Sequence, residues 1–237
     1  MRHRLFFSAL VYAVISFAGA SMAAPARNWL PVEDPKLPNV LLIGDSISIG
    51  YTPAVGELLK GQANVYRPCS PDGAKVINCG DTAKGLAELS QWLGDKKWAV
   101  IHFNWGLHDL KYMAQGEGKK LVLDKVNGKQ VRPVEEYARN LEELVTRLKA
   151  TGAKVIFATT TLVPEGEPGR AAGDEIRYNA AAVEVMKKQG VPMNDLHGVT
   201  KGFAPEMFMR PGNVHYSEAG SKKLAERVAE AIRAALK

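Results

Sequence analysis

Short, unbroken apolar runs alternate with longer segments of helical period along residues 39–237, and this alternation constrains the fold more than any other feature. The runs are Val40-Leu41-Leu42-Ile43, Val65-Tyr66, Trp98 to Phe103, Val155-Ile156-Phe157-Ala158 and Val191 to Asn194. A strand that is apolar at consecutive positions presents apolar side chains on both faces, so both faces must be covered. The segments between them are the covering helices. Pro53 to Leu59 is closed by Gly61, Gly85 to Leu93 follows, and Pro133 to Ala150 carries Leu141, Leu144, Val145 and Leu148 on one stripe before Gly152 stops it. Ala171 to Lys188 and Ser217 to Leu236 complete the set, the last with Ser217 as N-cap and Glu218 in its first turn. Strand and helix in this order predict one α/β domain over 39–237, a three-layer α/β/α sandwich around a central, mainly parallel five-stranded sheet. Ligands in such sheets collect at the carboxyl ends of the strands. Residues 116–132 break the pattern: Leu121-Val122-Leu123 and Lys129-Gln130-Val131 flank Asn127-Gly128, a hairpin signal. They read as an insertion after the third strand, either a plain surface hairpin or a flap over the site.

The N-terminus lies outside that domain. Met1 to Arg4 is basic, Leu5 to Ala20 is almost wholly apolar, and Ser21-Met22-Ala23 places small residues before a cleavage point, so residues 1–23 read as a secretory signal. That apolar stretch is short for a membrane span of ~20 residues. No later stretch is long or apolar enough, so an exported chain, periplasmic or secreted, with no stable span after processing is expected. Residues 24–38, with Pro25, Pro31, Pro35 and Pro38, read as an extended leader. Removing 1–23 deletes Arg2 and Arg4 and lowers the formal charge from +6 to +4. The excess is thin: Lys119-Lys120, Lys187-Lys188 and Lys222-Lys223 sit among acidic or apolar residues and form no nucleic-acid stripe. In an exported chain Cys69 and Cys79 favour a disulfide, worth roughly 2–3 kcal/mol for so short a loop, with two buried thiols as the alternative. Their spacing fits no zinc motif, no other metal-ligand cluster is visible, and no cofactor is expected. Oligomeric state is left open by the sequence.

Chemistry concentrates at Gly44-Asp45-Ser46-Ile47-Ser48. A serine straight after a buried strand and before a helix turns its Oγ to solvent beside helix N-terminal amides, which stabilise negative charge. Alone, the stretch also reads as a capped turn or a phosphate cradle. The phosphate reading is weakened because neither Gly-x-x-x-x-Gly-Lys nor Gly-x-Gly-x-x-Gly follows a strand. His215, in Pro211-Gly212-Asn213-Val214-His215-Tyr216-Ser217, precedes the last helix, where the helix dipole disfavours the imidazolium and keeps the ring able to accept a proton near pH 7.

The Ser46 block resembles the first signature of the GDSL or SGNH hydrolases, in which the serine is the nucleophile. The resemblance extends to three further blocks and implies roles for their residues. In Asn78-Cys79-Gly80-Asp81-Thr82, Gly80 matches the glycine whose amide serves the oxyanion hole. In Trp105-Gly106-Leu107-His108-Asp109, His108 replaces the family's asparagine, and an imidazole N–H can donate in its place. Asn104 is a second possible donor, and Asp109 holds His108 or its own loop. In the last block His215 matches the general base, but Gly212 stands where the family has its aspartate, and Asn213 is the nearest polar residue. A Ser46–His215 dyad is therefore expected. Asp195 is either a substitute carboxylate or a contact to the Gly212 loop. Asp45 should bond local amides, His102 should be a satisfied core residue, and His197 has no assigned partner. The resemblance implies a flavodoxin-like SGNH fold and an exported ester hydrolase that removes short acyl groups, such as acetyl, from carbohydrates or similar small esters. The two changed signature side chains leave a second reading, a module that binds a glycan or acyl ligand without turnover.

Overall fold

Residues 27–237 are described by the computed structural model, so the secretory-signal reading of 1–23 falls outside the described residues. The strands in chain order are β1 (Asn39–Ile43), β2 (Asn64–Tyr66), β3 (Val100–Phe103), β4 (Tyr112–Gln115), β5 (Leu121–Leu123), β6 (Lys129–Gln130), β7 (Lys154–Ala158) and β8 (Met193–Asn194). The helices are α1 (Ser46–Leu58), α2 (Thr82–Leu93), α3 (Val134–Lys149), α4 (Asp174–Gln189), α5 (Leu196–Lys201) and α6 (Glu218–Leu236). Five strands form a wholly parallel sheet in the order β2-β1-β3-β7-β8. α1 packs on α6 on one side of it, while α2 on α3 and α3 on α4 form the other layer. The apolar runs are explained by this burial: Leu42, Ile43, Ile101, Phe103 and Phe157 are shut away from solvent between the two helical layers.

Several helices start at different residues than the pattern predicts, and each difference shapes the site. α1 begins at Ser46 rather than Pro53, because the Asp45 carboxylate caps it by accepting from the Ile47 N–H at 2.9 Å; Pro53 lies inside the helix without ending it. α2 begins at Thr82 rather than Gly85, capped by Asp81 through the Lys84 N–H at 2.9 Å. Ser46 therefore stands in a first helical turn, and Gly80 directly precedes a helix cap.

The expected hairpin is corrected. β5 and β6 do not pair with each other; each pairs antiparallel with β4, giving the order β5-β4-β6. Tyr112-Met113-Ala114-Gln115 carries no apolar run, yet it is the central strand, so the insertion begins before residue 116. Its anchors lie near the carboxyl end of the main sheet: the Tyr112 N–H donates to the Gly169 carbonyl at 2.7 Å, and Lys125 Nζ donates to the Glu167 carbonyl at 2.7 Å. The disulfide is corrected as well. Cys69, half-buried, and Cys79, buried, are free thiols. Burial pushes the Cys79 thiol up to about 11.

Candidate active site

The capped start of α1 and the loop entering α6 meet at the carboxyl end of the sheet. Ser46 Oγ lies 2.8 Å from His215 Nε2. On the far side of the ring, Asn213 Oδ1 is 2.7 Å from His215 Nδ1 and also accepts from the His215 backbone N–H at 2.8 Å. A backbone N–H can only donate, so the side-chain atom it meets must be the amide oxygen. That oxygen in turn requires the proton on Nδ1, which leaves Nε2 bare to accept from the Ser46 hydroxyl. Asn213 thus selects the tautomer that a general base needs. Burial holds the His215 imidazolium below its ordinary range, Arg170 pushes the same way, and Asp45 and Glu167 oppose both.

The residue three before His215 is Gly212, and its turn leaves no room for a carboxylate side chain. Gly212 has φ +67, and a Cβ there would lie 2.9 Å from the Gly166 carbonyl oxygen. Asp195 does not substitute for it, nor does it touch the Gly212 loop: it caps α5 through the Gly198 N–H at 2.9 Å and accepts from Thr159 Oγ1 at 3.0 Å. The His215 loop is held instead by the Met209 N–H to the His215 carbonyl at 2.9 Å, beside the packed rings of Phe203, Phe208 and Tyr216.

Donors for a developing oxyanion come from three segments. The Ser46 N–H, first in α1, has no partner among the described residues. Gly80, at φ +64, turns its N–H onto Asn78 Oδ1 at 3.0 Å, so this amide is already bonded within its own loop. Asn104 spends an amide hydrogen on the Ala158 carbonyl at 2.7 Å, joining the ends of β3 and β7. His108 faces Lys111 Nζ through Nδ1 at 3.5 Å. An ammonium has only donors, so Nδ1 presents its lone pair and the proton sits on Nε2 as a donor. Burial lowers the His108 pKa, Lys111 and Arg170 act in the same direction, and Asp45 and Asp81 oppose. Asp109 does not bond His108. It accepts from the Thr82 N–H at 2.9 Å and Thr82 Oγ1 at 2.6 Å, tying the loop after β3 to the start of α2, and burial pushes its carboxyl up to about 7.

Residues 42–223 match the profile of the GDSL-like lipase/acylhydrolase family. The chain belongs to that family. The acylhydrolase superposes on an acetyl xylan esterase, AlAXEase, with a TM-score of 0.64 at 15% identity, covering 82% of this chain and 99% of that one. It is also similar to the lipase/acylhydrolase from Enterococcus faecalis, with a TM-score of 0.65, 20% identity and coverage of 84% and 97%. A third similar structure is a catalytic mutant of Axe2, an acetylxylan esterase from Geobacillus stearothermophilus, with a TM-score of 0.60, 19% identity and coverage of 82% and 94%. No curated protein sequence matches the chain. Family membership makes this acylhydrolase a carboxylic ester hydrolase, and the solved structures establish its α/β fold.

Several residues of the acylhydrolase's site escaped sequence reading. Asn78 opens the second block and Lys111 follows the third, but nothing in their spacing marks their contacts. Arg67 lies beneath the Ser46 loop: it is 3% exposed and donates to Ser48 Oγ, Thr52 Oγ1, and the Gly44 and Ile77 carbonyls. It thereby joins the serine block to the glycine block. Arg170 is buried against Glu167 at 2.7 Å and the Leu107 carbonyl at 2.8 Å. His102 is a core residue but only half satisfied: one ring nitrogen meets Asn194 Nδ2 at 3.0 Å, Nδ1 has no partner among the described residues, and burial drives its pKa down to about 3; His197 meets Glu175 at 3.4 Å. Behind the Ser46 turn, Ile47, Asn104, Leu107, Thr159 and Thr161 help line a cavity of about 10 Å³, room for a single water. Among the described residues, no group of His, Cys, Asp or Glu side chains is placed to hold a metal, and no helix is long and apolar enough to cross a membrane.

Proposed function

We propose that this acylhydrolase is an exported esterase that removes short acyl groups, acetyl foremost, from carbohydrate esters through an acyl-enzyme on Ser46. The observation that carries the reading is the relay Ser46 Oγ, His215 Nε2, His215 Nδ1, Asn213 Oδ1, whose two bonds of 2.8 and 2.7 Å fix one tautomer. His215 takes the hydroxyl proton as Oγ attacks the ester carbonyl, and the imidazolium keeps its Nδ1–H on Asn213. The carbonyl oxygen gains charge against the Ser46 N–H and the His108 Nε2–H. The Gly80 N–H joins them when the Asn78 side chain releases it. His215 then passes its proton to the departing alcohol, and a water activated by the same ring hydrolyses the acyl-enzyme. An amide orienter stabilises the imidazolium less than a carboxylate would, so a rate below that of a Ser-His-Asp enzyme is expected.

Two of the similar structures are acetyl xylan esterases by name, which supports a short acyl group. Export rests on the basic, apolar and small-residue pattern of 1–23. The test is acetate release from acetylated xylo-oligosaccharides by the wild type and Ser46→Ala. Release that disappears in the variant supports the proposal. Binding of the oligosaccharide by a wild type that releases nothing replaces it with the non-catalytic module.

A further inference from the structure

Lys111 is half-buried beside His108, and among the described residues its only polar neighbour within bonding reach is the His108 ring at 3.5 Å. Among the described residues it forms no ion pair. Some helical lysines differ: Lys84, Lys187, Lys222 and Lys223 each meet a glutamate three or four positions away. The acids nearest Lys111 are committed elsewhere. Asp81 caps α2 and faces Arg132 at 3.9 Å, and Asp109 is buried on Thr82. Arg170 lies close by with its charge paired: Nη1 meets Glu167 at 2.7 Å and Nε donates to the Leu107 carbonyl, while Nη2 makes no bond among the described residues. Burial and Arg170 both push the Lys111 pKa down, against Asp81 and Asp109. A partly desolvated cation without a counter-ion is costly, and an incoming anion would remove that cost.

We propose that Lys111, backed by Arg170, receives an anionic group on the alcohol part of the ester, the carboxylate of an acidic sugar. This deepens the esterase reading and rests on it. The charge belongs to the alcohol because the acyl group of the proposed reaction, acetyl foremost, carries none. With Nδ1 of His108 taking one ammonium hydrogen, two remain for the carboxylate.

The experiment compares acetylated methyl glucuronoside with its uncharged glucuronamide, which differ only in charge. The wild type should favour the acid in kcat/KM by roughly tenfold, the size of one charge-assisted hydrogen bond. Added salt should shrink that ratio. Lys111→Met should bring it to about one, whatever happens to the rate shared by both esters, and Lys111→Arg should preserve it. A wild-type ratio near one overturns the anion site while leaving the esterase standing. So does a ratio that survives Lys111→Met, and the salt series decides if that variant does not fold. If neither ester is cleaved, the esterase reading fails by itself, and calorimetry of Ser46→Ala with each ester decides the anion site: tighter binding of the acid upholds it, equal or no binding overturns it.

Discussion

Asn213 makes the same two contacts that an aspartate would make, and replacing it separates orientation from charge. Asn213→Ala deletes the acceptor for both His215 Nδ1–H and the His215 backbone N–H. In the transition state the ring is an imidazolium, so the bond lost there exceeds the neutral bond lost in the ground state by about 1–1.5 kcal/mol, or about 5 to 12-fold in kcat. Asn213→Asp keeps the accepting oxygen. The amide nitrogen it removes has no partner among the described residues, so nothing is given up. The gain is the difference between a neutral and a charged acceptor, about 1 kcal/mol or about fivefold in kcat. The carboxylate also favours the imidazolium, so the His215 pKa rises from its lowered value and the acid limb of kcat/KM moves to higher pH. Gly212→Asp, which restores the family's residue at its own position, should do neither: φ +67 and the Gly166 carbonyl 2.9 Å from the new Cβ should lower Tm without raising kcat. The assay is 4-nitrophenyl acetate hydrolysis from pH 5 to 9, with thermal melts alongside. Unchanged kcat in Asn213→Ala, or rescue by Gly212→Asp but not by Asn213→Asp, would refute the reasoning.

Three further outcomes follow from buried groups. Asp109 has its pKa raised to about 7 by burial, so its contribution to stability is full below its unfolded value near 4 and is lost as pH rises through about 7. Melts should therefore show Asp109→Asn gaining on the wild type between pH 5 and 8, and a difference flat in pH would contradict this. Arg67→Met strands the Ile77 carbonyl, while Gly44 keeps the Cys79 N–H, and should cost about 2 kcal/mol in urea unfolding together with lower esterase activity; a loss under 1 kcal/mol would show the guanidinium to be dispensable. Thiol titration should find two free cysteines after denaturation without reductant, with Cys79 unreactive in the native protein; no free thiol would restore the disulfide.

The parallel sheet was legible because its strands are buried on both faces and so read as continuous apolar runs, Val40 to Ile43 above all. β4 was not, because Tyr112-Met113-Ala114-Gln115 is half-buried and mixed in character, and its pairing with two flanking strands is a long-range fact. The start of α1 was obscured by Pro53, which reads as a helix beginning, while the capping contact of Asp45 lies well upstream in a stretch without helical period. At the site, Ser46 and His215 were visible through their places at element ends, and Asn213 was noticed only as a nearby polar group. Its two bonds to His215 depend on the turn that Gly212 makes against Gly166, which no local pattern encodes. The Gly80 amide held by Asn78, the Asp195 cap on α5 and the unpaired charge of Lys111 are likewise properties of loops brought together by the fold.

The most direct test of Ser46 as an activated nucleophile is the intact mass of the purified protein after exposure to a fluorophosphonate, for wild type and Ser46→Ala. A single adduct on the wild type that is absent from the variant is the predicted result, with Asn213 and His215 sufficient to activate the serine. A folded wild type that takes no adduct between pH 6 and 9, or a variant labelled as fully as the wild type, would contradict the account.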